Sequence, residues 1–183
     1  MRRLKLFLGF ATLAVIAGTA AALAGGEQGG SIRAVSATFT ATTVAHLETR
    51  TCTGADGSYE IAKATYTGTA TSAEPSLSGP IELKVRSVFN LTKKLGRVDG
   101  RLKIRGTHDA SSGKLFAINT NGTLDGFVSG EPGNKQGTLL ASLTSGFSRS
   151  GGFTSGQLGT GSSANTAVIA GREPCTGKHD DND

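Results

Sequence analysis

Ile81-Glu82-Leu83-Lys84-Val85-Arg86 alternates apolar and charged residues without a break. Val98-Asp99-Gly100-Arg101-Leu102-Lys103-Ile104-Arg105 does so again. A period of two puts Ile81, Leu83 and Val85 on one side and Glu82, Lys84 and Arg86 on the other, the signature of a half-buried strand. In the second stretch Val98, Leu102 and Ile104 point inward, and Asp99, Arg101, Lys103 and Arg105 point to water. Asn90-Leu91-Thr92-Lys93-Lys94-Leu95-Gly96-Arg97 lies between and reads as a hairpin loop. Antiparallel sheets with one wet face read this way.

Outward from this hairpin the pattern persists. No window between residues 32 and 172 carries a 3.6-residue apolar stripe. Further strands are expected near 33–52, 58–71, 114–121, 123–130, 137–147, 152–160 and 165–171. Turn residues separate them: Asp56-Gly57, Glu74-Pro75, Ser111-Ser112-Gly113, Asn121-Gly122, Pro132-Gly133-Asn134 and Ser150-Gly151-Gly152. Asn121-Gly122 is the strongest, because both positions accept positive φ. The fold class that follows is all-β, an antiparallel meander of eight or nine strands closing into a barrel, with a β-sandwich as the alternative. Gly100-Arg101-Leu102, Gly122-Thr123-Leu124 and Gly137-Thr138-Leu139 each place Gly two before Leu. Gly repeated at comparable strand positions is one device that bends a sheet toward closure.

Residues 1–24 read as an address. Met1-Arg2-Arg3-Leu4-Lys5 is cationic, Leu6 to Ala22 is nearly all apolar, and Ala22-Leu23-Ala24 fits small-x-small cleavage before Gly25. These are the parts of a secretory signal peptide. The domain organisation expected is a signal peptide (1–24), a Gly-rich lead (25–32), the all-β domain (33–176) and a disordered acidic tail (177–183). The mature protein is then secreted or extracytoplasmic, with no stable membrane insertion. Export gives Cys52 and Cys175 a meaning, since an oxidising compartment favours their pairing. Such a long loop is worth about 5 kcal/mol in the chain-entropy estimate, an upper figure.

Composition limits the chemistry. The chain has 183 residues, 27 Gly, no Trp and three His. Without Trp there is neither an avidin-type aromatic clamp nor a lipocalin-type Gly-x-Trp start. The Gly-x-Ser-x-Gly, His-Glu-x-x-His, Gly-x-x-x-x-Gly-Lys-Ser/Thr and Gly-x-Gly-x-x-Gly motifs are absent. His46 lies on an expected strand, His108 beside Asp109 in a loop, and His179 in the tail. No catalytic residue, metal ligand set or cofactor is assigned. The phenylalanines after the leader are Phe39, Phe89, Phe116, Phe127, Phe147 and Phe153, so the core is lean.

The formal net charge of +5 includes Arg2, Arg3 and Lys5 of the leader, and falls to +2 without them. That mild balance does not identify a nucleic-acid binder. Its distribution is more informative. Lys84, Arg86, Lys93, Lys94, Arg97, Arg101, Lys103 and Arg105 are eight of the sixteen bases that follow the leader, with Glu82 and Asp99 the acids beside them. On a paired hairpin they form a cationic ladder that attracts phosphate, sulfate or carboxylate groups of a polymer. No aromatic alternates with these bases, which argues against stacking of single-stranded nucleic acid and against specific nucleic-acid recognition. The same cations on a wet face also guard a sheet against aggregation. Thr38, Thr40 and Thr42, and Thr65, Thr67, Thr69 and Thr71, form short hydroxyl rows that strand propensity explains. The reading is a secreted, non-enzymatic binding or surface-interaction protein whose partner is an anionic cell-surface or extracellular polymer. The alternative is a small-ligand-binding barrel or barrel isomerase, with His46 or Asp125 as the polar group of an interior cavity.

Overall fold

Alternation in the sequence becomes eight strands in the computed structural model, which describes residues 32–107, 109–133 and 137–160. They are β1 (Ala37–Gly54), β2 (Gly57–Ser72), β3 (Gly79–Asn90), β4 (Leu95–Arg105), β5 (Ala110–Thr120), β6 (Thr123–Glu131), β7 (Leu139–Ser148) and β8 (Gly152–Gly159). Each pairs antiparallel with the next, and β8 pairs back onto β1, so the sheet is a closed barrel and not a sandwich. The expected ninth strand (165–171), the leader, Cys175, His108 and the acidic tail lie outside the described residues.

Turn chemistry fixes the hairpins. Asn121 and Gly122 take φ values of 51° and 90°, the two positive angles that a two-residue β5–β6 connection needs. Asn119 Oδ1 accepts from the Gly122 amide at 2.9 Å and fastens that turn. The β3–β4 turn is held by Asn90 Oδ1, which accepts from the amides of Thr92 at 3.0 Å and Lys93 at 2.9 Å. One expected turn is corrected. Ser111-Ser112-Gly113 is inside β5, where the Ser111 hydroxyl donates to the Ser76 carbonyl at 2.6 Å. That bond gives a buried serine a partner and removes its need for a solvent-facing turn.

The inward positions are mostly apolar, with Glu60, Ser87, Ser111, Asn119 and Ser145 as buried polar residues among them. Leu83, Val85, Val98, Leu102, Ile104, Leu115, Leu124, Val128, Leu143 and Leu158 are all buried. At one end a 3-10 turn over Pro75–Leu77 drives the buried Leu77 against this core. At the other, the β7–β8 turn folds over the opening. There the buried Tyr66 hydroxyl donates to the Arg149 carbonyl at 2.7 Å, and the Arg149 guanidinium pairs with the buried Glu60.

Closure happens along a short seam. Ala37, Thr38, Phe39 and Ala41 of β1 face Leu158, Gln157, Gly156 and Phe153 of β8. Register can be followed once round the barrel from Thr49 near the far end of β1. It passes through Ala62, Ser87, Val98, Ala117, Gly126, Leu143 and Leu158, and returns to Ala37 at the very start of β1. So large a stagger means steeply tilted strands. It also means that β1 outruns β8. Beyond Ala41 its second edge has no strand partner among the described residues, and Val44 and Leu47 are over a third exposed. Four aromatics hold the seam. Phe153 packs on Phe147, Tyr66 and Phe39 with centroids 4.9, 5.6 and 6.3 Å apart. The Phe39 ring lies over Gly156, where any Cβ would overlap it.

The glycine echo is not a structural repeat. Gly100 is an inward position of β4 whose Cβ would collide with the Lys84 carbonyl, whereas Gly122 and Gly137 are turn residues with φ of 90° and 117°. Glycine does relieve crowding inside the sheet, but the Gly-x-Leu spacing is incidental.

Phe153→Ala is expected to destabilise the fold by about 3–5 kcal/mol in urea unfolding, because the seam loses its central ring. Tyr66 gives a second expectation. Burial pushes its phenol from 10 up to about 12. The folded state therefore holds the proton more tightly than the unfolded chain. That contribution is whole below pH 10 and is lost as pH rises through 12. Unfolding measured from pH 9 to 12 should show the wild type losing of order 2 kcal/mol more than Tyr66→Phe across that window. Equal losses would contradict the assignment.

A candidate anionic-ligand surface on the barrel wall

The outward residues of β3 and β4 are those the alternation predicts. Lys84, Arg86, Arg97, Arg101, Lys103 and Arg105 all sit on the outer face, and register arranges them laterally. Lys84 stands opposite Arg101, Arg86 opposite Asp99, and Lys103 opposite Glu82. Cross-strand partners of this kind lie about 5 Å apart at Cβ.

Register also recruits cations that lie far away in sequence. Arg101 faces Lys114 on β5, so Lys84, Arg101 and Lys114 form one row across three strands. Lys63 of β2 faces Arg86 on one side and Glu48 on the other. A hollow of about 470 Å³, lined by Glu48, Thr49, Arg50, Ile61, Lys63 and Arg86, opens on this flank. Lys63, Arg50 and Lys114 are therefore members of the surface that the local cluster did not reveal. A charge count over a short window finds neighbours along the chain, whereas a barrel wall assembles neighbours at right angles to it.

Carboxylates answer some of these cations. Lys84 Nζ lies 3.2 Å from Glu82, and Arg97 Nε lies 3.9 Å from Asp99. Both pairs are solvent-exposed and individually weak. Arg101, Lys103, Arg105 and Lys114 are exposed, and among the described residues none has an ion-pair partner. A row of like charges opposite one another is unfavourable in isolation.

Lys93 and Lys94 belong to a different place. They sit in the β3–β4 turn at the barrel's end, with Lys94 at φ 56°. Lys93 Nζ is tied at 2.6 Å to Asp56 of the β1–β2 turn, whose other carboxylate oxygen accepts from the Tyr59 hydroxyl. The Lys93 ammonium, then the Tyr59 hydroxyl, hold the Asp56 carboxyl below its ordinary range. Asp56 in turn holds the Lys93 ammonium above its own. This clasp joins two turns and leaves Lys93 with its charge answered.

The groups considered for an interior site do not face the interior. His46 is 57% exposed and lies 3.2 Å from Glu48 on β1. Asp125 faces Ile118 and Thr144 on the outer side of β6, since its neighbours Leu124 and Gly126 take the inward positions. The threonine rows are only partly in register: Thr38 faces Thr71 and Thr40 faces Thr69, but a shift after Thr40 sets Thr43 instead of Thr42 opposite Thr67, and Thr65 faces His46. Thr38 and Thr71 border a groove of about 810 Å³ that is also lined by Thr144 and Gln157 and has no charged side chain among the described residues that line it. Among the described residues no group of three or more His, Cys, Asp or Glu side chains converges as a metal site.

Two aromatics are misplaced by a core-only reading. Phe116 and Phe127 are outward, 45% and 51% exposed, and their tilted rings pack at a centroid distance of 5.5 Å. Leu115, Ala117 and Val128 take the buried positions beside them. The alternation Lys114-Leu115-Phe116-Ala117 carried this signal, because Leu115 and Phe116 cannot both face inward. The premise that no aromatic accompanies the bases therefore holds along the hairpin only, since across the sheet Phe116 stands two residues from Lys114.

No family model matches this chain, and no curated protein or solved structure is found to be similar to it.

Proposed function

We propose that this chain is exported and that its mature barrel is a non-enzymatic binding protein for anionic polymers, using the outer wall of β2 to β5. The row Lys84, Arg101 and Lys114 carries the reading. Three cations in lateral register, two of them without an ion pair among the described residues, form a linear array suited to repeating phosphate, sulfate or carboxylate groups. The mostly apolar inner face supports the same choice, because the cations of β3, β4 and β5 stand on the outer one. Cations spread along a rigid wall attract a polyanion over a distance set by ionic strength and discriminate little between backbones of equal charge density.

Export and the disulfide belong to this reading. Cleavage after Ala24 removes the apolar leader. A Cys52–Cys175 bond fastens the C-terminal segment to β1, near the edge that β8 leaves without a strand partner.

Two measurements test these points. Retention of the mature protein on immobilised polyphosphate or dextran sulfate should fall by roughly tenfold or more between 50 and 200 mM salt. Arg101→Glu with Lys114→Glu should abolish it, while charge reversal of Lys93 alone has a smaller effect. Retention that ignores salt, or that survives the double reversal, removes the proposal. Intact-mass analysis of the protein secreted by its own source should show a chain beginning at Gly25 and two hydrogens lighter than the dithiol form. A chain retaining residues 1–24, or one with two alkylatable thiols, contradicts export with pairing.

A further inference from the structure

The cationic wall does not end in neutral surface. Phe116 lies two residues beyond Lys114 on β5, so both side chains leave the same face. Phe127 stands directly opposite Phe116 on β6. Leu140 of β7, opposite Ser129, completes the group and is 70% exposed. Three large apolar side chains thus stand out from β5, β6 and β7, with Lys114 and Arg101 along one border. Asp99 faces Phe116 from β4 and is answered by Arg97 at 3.9 Å. Asp125 lies two residues before Phe127, on the border away from Lys114.

We infer that this combined face, Phe116, Phe127 and Leu140 beside Arg101 and Lys114, seats the barrel on the surface of an anionic lipid bilayer. The inference rests on the proposed role of the cationic wall and narrows its partner. Charge complementarity selects the occupant. A soluble polyanion would use the cations but gain nothing from three exposed hydrocarbon groups. A second copy of this chain, face to face, would offer Arg101 and Lys114 the bordering carboxylates Asp99, already answered by Arg97, and Asp125, a sparse match beside the dense anionic charge of a lipid leaflet. Single-stranded nucleic acid would need freely presented ring faces, yet Phe116 and Phe127 pack against each other at 5.5 Å with their rings tilted by 31°, and the most exposed member is the aliphatic Leu140. A leaflet rich in anionic headgroups satisfies both halves. The apolar groups enter the boundary between headgroups and acyl chains, and the cations meet the phosphate plane one row away. The contact is peripheral, because the apolar group is only three side chains wide.

The test compares vesicles with a soluble polymer. The mature protein should co-float with vesicles of one part phosphatidylglycerol to two parts phosphatidylcholine and stay behind with pure phosphatidylcholine. Phe116→Ser with Phe127→Ser should lower vesicle partition by at least tenfold while keeping polyphosphate affinity within twofold. Arg101→Glu with Lys114→Glu should lose both. The chain has no tryptophan, so Leu140→Trp supplies a reporter that leaves the apolar face intact should the serine variant fail to fold. Its emission should shift to the blue on anionic vesicles and not on polyphosphate. Unchanged flotation of the serine variant, or an unshifted tryptophan emission on bound vesicles, overturns the inference. Polyphosphate binding without vesicle binding overturns it and leaves the broader proposal standing, whereas loss of both ligands in the wild type defeats the two together. A dimer in sedimentation, or a single-stranded oligonucleotide complex, that needs Phe116 and Phe127 assigns the patch to another occupant and also overturns it.

Discussion

A barrel exists only if its last strand finds its first, and in this chain that meeting is brief. β1 and β8 share backbone pairing along residues 37–41 alone. The seam is held by side chains instead. Phe39, Tyr66, Phe147 and Phe153 converge on its inner side, drawn from β1, β2, β7 and β8. Their burial supplies the hydrophobic gain that a short ladder lacks, and their edge and tilted contacts fix its geometry. Gly156 has no side chain because the Phe39 ring occupies that space. In a lean core, four of the largest side chains are committed to closure.

That commitment leaves the charged residues of the sheet to the outer wall, on which the proposed function rests. With aromatics at the seam, Leu77 beneath and the Arg149 turn above, the inner face is hydrocarbon apart from a few satisfied groups such as Ser111 and Glu60. The cations of the wall lie outside. Antiparallel register then arranges residues of successive strands into rows, and the wall acquires an order that the linear sequence lacks. Lys84, Arg101 and Lys114 come from three different strands, yet they are consecutive neighbours across the sheet.

Much of this architecture was legible in the sequence, for an identifiable reason. Strict alternation at Ile81 to Arg86 and at Val98 to Arg105 reports a local property, which face a residue takes, and the Asn121-Gly122 turn is equally local. The paired cationic hairpin follows from these alone. Barrel against sandwich was not legible, because both produce the same alternation and the difference lies in one long-range pairing. Ser111 read as a turn residue because its partner, the Ser76 carbonyl, lies in another loop. Phe116 and Phe127 read as core by size, whereas by phase Leu115 holds the inward position beside Phe116. Lys63 and Lys114 were missed because lateral rows depend on register, which no short window reports. Lys93 was included in the cationic surface on proximity, whereas Asp56, far earlier in the chain, takes it into a clasp at the barrel's end.

The most direct measurement is an amide chemical-shift map of the ¹⁵N-labelled mature protein titrated with short-chain inorganic polyphosphate. The account predicts perturbations centred on Lys84, Arg101, Lys103 and Lys114 and fading toward the threonine rows of β1 and β2. Inward residues at the seam should remain unmoved. Perturbations centred on the seam aromatics or on the Thr38 and Thr71 groove, or none at low salt, would contradict the claim that this barrel recognises anions through its outer wall.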